Sequence, residues 1–151
     1  MTEGEYFMQH VAIMKKEWKL IDKILNGEKT IESRWYGSKK VPWGRVKNGE
    51  TILFKDSGGM VCAKAEVDRV KQYENYTDDE LKKIIKDYGG KGKISFVWDA
   101  QGVYDWAKDK KYCILIFLKN PQKVKPFDIN KKGFGNMASW ICIDNINKIK
   151  I

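Results

Sequence analysis

Gly27-Glu28-Lys29-Thr30-Ile31-Glu32-Ser33-Arg34 is the stretch on which the reading of this chain turns. Just before it, Glu17 to Asn26 sets Trp18, Ile21 and Leu25 at helical spacing, with Leu20 and Ile24 widening the apolar stripe. Gly27 falls where a helix needs a left-handed residue to stop. From Thr30 the pattern is that of a strand, so Thr30, Glu32 and Arg34 share one face while Ile31, Ser33 and Trp35 share the other. Opposite charges two residues apart on one strand face describe a polar site, not a core.

Outward from the octet, His10 to Met14 is expected to be a leading strand. Gly37 to Asn48 is a basic loop long enough to cover a cleft, and Thr51 to Lys55 and Met60 to Asp68 form an antiparallel hairpin around the turn Asp56-Ser57-Gly58-Gly59. Strict alternation buries Val61, Ala63, Ala65 and Val67 and turns Cys62, Lys64, Glu66 and Asp68 outward. Thr77 and Glu80 form a capping box for a helix carrying Leu81, Ile84, Ile85 and Tyr88, closed by Gly89-Gly90. Lys91 to Lys108 is less regular and is expected to elaborate a smaller barrel. Lys111 to Leu118 is expected to be a central buried strand, Pro121 to Pro126 a turn-rich connector, and Ser139 to Ile143 a last strand. Asn145 to Ile151 fits either a helical turn or an edge strand.

All four fixed positions of the signature G-x-K-x-x-E-x-R are present in the octet, as Gly27, Lys29, Glu32 and Arg34. The octet therefore resembles the ASCH family of the PUA-like superfamily, and the likeness extends over most of residues 10–118. The resemblance implies an α+β fold, a mixed and mostly antiparallel PUA-like β-barrel with flanking helices and a polar cleft beside the octet. It also implies one domain over 1–151, with an irregular elaboration at about 91–108 and a C-terminal extension at about 119–151. The family is proposed to bind RNA or other nucleic acids, and some of its branches are hydrolases.

Composition narrows the chemistry. The 151 residues carry 42% hydrophobic and 13% aromatic side chains, the balance of an ordered globular chain of one-domain length. No apolar run reaches membrane-spanning length, and Met1 to Gln9 lacks the blocks of a signal peptide, so no membrane association and a cytoplasmic address are expected. Cys62, Cys113 and Cys142 lie in apolar contexts without CxxC spacing, and His10 is the sole histidine. Neither a zinc site nor any other metal or cofactor is expected, and Ser-His-Asp or Cys-His catalysis is excluded unless His10 itself serves. It opens a strand, which favours a structural or surface role.

The net charge of +9 is uneven: residues 11–48 hold ten Lys/Arg against four Asp/Glu, and residues 119–132 hold five lysines against Asp128. Such patches attract phosphate-rich partners through counterion release. A charged, solvated surface would look the same by composition, but Trp18, Trp35, Tyr36 and Trp43 lie within the first basic third, where aromatic faces among cations suit base stacking. Trp18 belongs to the apolar stripe of its helix and is expected in the core; Trp98 and Trp140 are expected as core or lid residues.

Two function classes follow. In the first, a monomer or weak dimer binds RNA, single-stranded nucleic acid or a modified nucleoside through Lys29, Glu32, Arg34, Tyr36, Lys39, Lys40, Lys55 and Ser57. Arg34 offers a planar fork to phosphate or base, Glu32 orients the cations or accepts from a base edge, and Lys55 and Ser57 frame the cleft from the hairpin tip. In the second, Lys29, Glu32 and Glu74 are catalytic. One ASCH branch resembles an amidohydrolase of N4-acetylcytidine that uses the motif lysine, a threonine three positions on and a downstream glutamate. Here Lys29 and Glu74 match, but Glu32 stands in the threonine's place, and a neighbouring carboxylate is expected to hold Lys29 charged. A ribonuclease-like branch is the other hydrolytic alternative. Binding is the favoured class. A lysine at a helix C-terminus also gains from the helix dipole, which is the ordinary structural reading of Lys29.

Overall fold

The computed structural model of the protein describes residues 7–90, 94–135 and 137–151; Lys91 to Lys93 of the expected elaboration lie outside the described residues. Six strands form one mixed, curled sheet: β1 (Gln9–Met14), β2 (Ile31–Tyr36), β3 (Thr51–Asp56), β4 (Val61–Glu74), β5 (Tyr112–Phe127) and β6 (Trp140–Ile143). Their order is β2-β5-β4-β3-β1-β6, with β1 and β3 parallel and every other neighbouring pair antiparallel. Among the described residues three α-helices flank it: α1 (Leu20–Leu25), α2 (Asp78–Tyr88) and α3 (Ala100–Ala107). This is the expected α+β, PUA-like fold, with the expected barrel realised as a curled half-barrel.

Alternation along the strands sorts the core. Ala12, Ile52, Phe54, Ala63, Ala65, Val67, Ile114 and Ile116 fill the concave side with Leu20, Ile21 and Ile24 of α1. On the convex side, Ile31, Cys113 and Leu115 pack against Leu81, Ile84 and Ile85 of α2 and Val103 and Ala107 of α3. Val11, Ile13, Leu53, Val61 and Ile141 are covered by Ile129 and Ile146 of the C-terminal segment. A strand covered on both faces reads as a continuous apolar run, which is why His10 to Met14 shows no alternation.

Four elements differ from the sequence expectation. The helix foreseen over Glu17–Asn26 is broken: Lys16–Trp18 is a 3-10 turn, Lys19 is left-handed at φ 51°, and α1 begins only at Leu20. The break takes Trp18 out of the α1 stripe, leaving it half-buried. The region read as irregular contains α3, capped by Asp99, whose carboxylate accepts from the Gly102 N–H at 2.9 Å; Val103 and Ala107 on one face were its sequence signal. β4 continues six residues past Asp68, to Glu74. β5 runs through both Pro121 and Pro126, which the composition marks as a turn. Among the described residues β5 has no neighbour on its β2 side beyond Leu118, and a proline without an N–H is tolerated on such an edge. The end of the chain takes both of its alternatives, a 3-10 turn at Ile146–Lys148 and a bridge between Ile129 and Lys150.

His10 is fully buried in a polar knot that ties β1 to β6 and to the residue before β3. The Trp140 indole N–H donates to His10 Nδ1 at 3.0 Å, and His10 Nε2 lies 2.9 Å from Glu50 Oε1. Because an indole nitrogen can only donate, Nδ1 must accept, so Nε2 carries the proton and the ring is neutral. Burial holds the His10 pKa below 6.5, against the opposing pull of Glu50. The linkage sign follows: below pH 6.5 the unfolded chain takes up a proton that the folded ring refuses, so this histidine makes stability fall as pH drops towards the folded pKa. NMR of the imidazole at pH 8 should show the neutral Nε2–H tautomer; the Nδ1–H tautomer would refute the assignment.

Candidate functional site

The octet acts as a corner. Gly27 at φ 82° ends α1, and the Lys29 N–H then donates back to the Lys23 carbonyl at 2.9 Å, folding the chain against its own helix before β2 starts. Ile31 and Trp35 are claimed by the convex layer around α2 and α3. With a period of two, Glu32, Arg34 and Tyr36 must then face the concave side.

β2 and β6 are the two edges of the sheet, and the curl brings them towards each other across an open seam. Arg34 spans it. Its Nη1 donates to the Ser139 carbonyl at 3.2 Å, Nη2 lies 3.6 Å from Met14 Sδ, and the guanidinium stands 5.1 Å from the Trp140 ring. A cavity of about 430 Å³ opens along the free edge of β2, within the range of small-molecule sites. Lys29, Glu32 and Arg34 stand on one wall; Trp18, Phe96, Trp98 and Trp106 form much of the opposite one. Trp98 packs edge-on against Trp18 at 5.9 Å and tilts over Trp106 at 5.5 Å. The loop before α3, together with α3 itself, therefore walls the cavity.

Three features give this cavity chemical character. Lys29 is only 3% exposed, and its ammonium donates to the Ile31 carbonyl at 2.6 Å. Burial pushes its pKa below the ordinary lysine value; Glu32 pulls the other way and Arg34 adds to the lowering. Glu32 thus favours the ammonium as expected, but desolvation by burial is the larger influence and sets the direction. Second, Glu32 is 4% exposed, its Oε1 is 3.9 Å from Arg34 Nε, and its buried Oε2 has no hydrogen-bond partner among the described residues. Third, the Tyr36 hydroxyl is equally buried and unpartnered. Buried polar atoms are nearly always satisfied, so two orphans on one strand face call for partners from outside the chain.

The remaining sequence candidates fall elsewhere. Glu74 ends β4, where it pairs with Tyr112, which in turn pairs with Tyr36, whereas Lys29 precedes the opposite end of β2. The catalytic trio Lys29, Glu32 and Glu74 is therefore not brought together. Glu74 instead makes an exposed ion pair with Lys39 at 3.1 Å, which removes both from the cavity. Lys55 is a correction too. It shares the face of Leu53, the one packed under the C-terminal segment, and burial together with nearby Lys131 lowers its pKa. Ser57 is exposed on the β3–β4 turn, its N–H donating to the Met14 carbonyl at 2.8 Å, and does not line the cavity. Lys40 lines a second groove beside the first. Arg45, Trp106 and Ser139 also line the two grooves, and none of them carries a local motif that the sequence could show. Among the described residues no three His, Cys, Asp or Glu side chains gather in a way that could hold a metal, and no helix is long and apolar enough to cross a membrane.

The curled mixed sheet with its octet corner defines a PUA-like domain architecture, and comparison with solved structures gives the particular type. The crystal structure of ASCH from Zymomonas mobilis superposes with a TM-score of 0.62 at 17% identity, covering 88% of this chain and 85% of that one. A tyrosine-to-phenylalanine mutant of the same protein matches at 0.62 and 17%, over 88% of each chain. A serine-to-alanine mutant matches at 0.58 and 17%, over 80% of this chain and 73% of that one. No protein-family model and no curated protein matches this sequence. The protein has an ASCH-type fold.

Proposed function

We propose that this protein binds RNA or another single-stranded nucleic acid by taking one base, plain or modified, into the cavity at the seam. The observation that carries this reading is the pair of buried, unpartnered oxygens, Glu32 Oε2 and Tyr36 Oη, beside buried Lys29 in a space with aromatic walls. A nucleobase has two flat apolar faces and an edge of donors and acceptors. Trp18 and Trp98 suit the faces. On the edge, Glu32 can accept from an amino or ring N–H, and Lys29 and Arg34 can donate to a carbonyl or ring nitrogen. The basic surroundings of the octet supply long-range attraction to the sugar-phosphate chain.

The test is titration of a mixed-sequence RNA decamer, and of the same DNA, at several salt concentrations. Binding is expected to weaken linearly on a log–log plot, by about 0.7 per phosphate neutralised. Trp98→Ala is expected to weaken it further, by about 1–3 kcal/mol for the missing base stack. A decamer that does not bind at low salt, or binds without a salt slope, removes the reading.

One observation favours hydrolysis as a second reading: the lowered pKa of Lys29, since a lysine must shed its proton to serve as base or nucleophile. Acetate release from N4-acetylcytidine, rising with pH below the ordinary lysine range and absent in Lys29→Ala, would establish it. No release removes the amidohydrolase reading.

A further inference from the structure

The second groove, of about 510 Å³, adjoins the first and shares two of its walls, Tyr36 on the β2 edge and Ser139 on the other side of the seam. Its chemistry differs. Both have aromatic lining, Phe134 and Trp140 in the second, but only the first holds a carboxylate, Glu32; among the second groove's described lining residues the charged side chains are Lys40 and Arg45, both exposed. Neither makes an ion pair among the described residues. Lys39, next in sequence to Lys40, does, with Glu74. The Lys40 ammonium lies 5.8 Å from the centre of the Tyr36 ring. At the junction of the two grooves sits the buried Tyr36 hydroxyl, which lacks a partner.

We infer that this second groove is a subsite for the phosphodiester next to the bound base, so that the ligand is a nucleotide within a strand rather than a free nucleoside. This rests on the base-binding reading of the first cavity. The charges divide as such a ligand requires: an uncharged base goes beside Glu32, and the anionic link goes where no carboxylate repels it. Lys40 and Arg45 donate charge-assisted hydrogen bonds to the phosphate oxygens. The Tyr36 hydroxyl donates to the sugar-phosphate where the strand passes from one groove to the other. Arg34, bridging the seam between them, holds the junction at fixed width.

The experiment compares the four ribonucleosides and N4-acetylcytidine with their 3′,5′-bisphosphates by NMR titration, alongside inorganic phosphate. The bisphosphate is expected to bind about tenfold or more tightly than its nucleoside, a size appropriate to charge-assisted hydrogen bonds. In the Lys40→Ala/Arg45→Ala double variant that ratio should fall towards one. The salt slope for the decamer should also fall, by about 0.7 for each phosphate that the variant no longer engages. A nucleoside that binds in a Lys29-dependent way, with no gain from its phosphates, overturns the subsite and leaves the base cavity standing. Inorganic phosphate binding at Lys40 and Arg45 as tightly as the bisphosphates makes the groove a plain anion site and also overturns it. If no nucleoside, bisphosphate or decamer binds, the base-binding reading falls and the subsite falls with it.

Discussion

Lys29→Met will cost the protein its nucleic-acid affinity and leave its fold intact or slightly firmer. The side chain is 3% exposed, and its one described hydrogen bond is to the Ile31 carbonyl. An ammonium has three donors, so two remain for a ligand edge or for ordered water. Removing a charged donor from a desolvated site costs about 1.5–3 kcal/mol, roughly a ten- to hundredfold rise in Kd. Methionine keeps the length and flexibility of the side chain and needs no hydration.

The stability sign follows from the pKa direction. Burial lowers the Lys29 pKa, so the folded state disfavours the ammonium, and stability from this group rises only as pH climbs from the folded pKa towards 10.5. Taking the charge away at pH 7 relieves that cost, which outweighs the forfeited attraction to Glu32. Parallel melting curves and decamer titrations check both halves. A variant that binds like the wild type moves the site elsewhere; one that unfolds makes Lys29 structural.

Glu50→Ala is expected to be the most damaging single polar substitution away from the cavity. Glu50 is 1% exposed, and its carboxylate accepts from the Met8 N–H at 2.6 Å, from the Lys47 N–H at 2.7 Å and from the His10 ring. Alanine leaves three donors facing a void. Each unsatisfied buried group costs about 1–3 kcal/mol, and with partial relaxation and water entry the total should reach about 3–5 kcal/mol. Glu50→Gln keeps one acceptor oxygen but turns an amide N–H₂ towards the other donors, so it should fall between alanine and wild type. Urea unfolding of the three proteins gives the ranking. A loss below about 1 kcal/mol for alanine would show that the knot is not a structural anchor.

Much of this protein is legible in its sequence because much of it is local. The capping box of Thr77 and Glu80 forms in the structure, with both of its hydrogen bonds at 3.1 Å, since all its atoms lie within one turn. Val61 to Val67 alternate as read, because the pleat has a period of two wherever the strand lies. Gly27 takes the left-handed conformation its place demanded. The shared face of Glu32 and Arg34 is likewise local, and the signature spacing adds Lys29 to them.

Tertiary structure decided what those groups confront. Periodicity gave Lys55 a strand face but not a neighbour; only the C-terminal segment, folding back over that side, turned it away from the cavity. Glu74 matched a motif, yet the pairing of β4 with β5 carries it to the far end of the strand from Lys29. Desolvation of Lys29 could not be read from the charges beside it, because it depends on the tertiary packing that leaves the side chain only 3% exposed. The Arg34–Ser139 bridge joins positions 105 apart and exists because a twisted sheet curls its first and last strands towards each other. A sequence specifies which side chains share a strand face within a few residues. Whether that face meets solvent, core or a cavity depends on the meeting of distant edges, and so do the pKa and the chemistry.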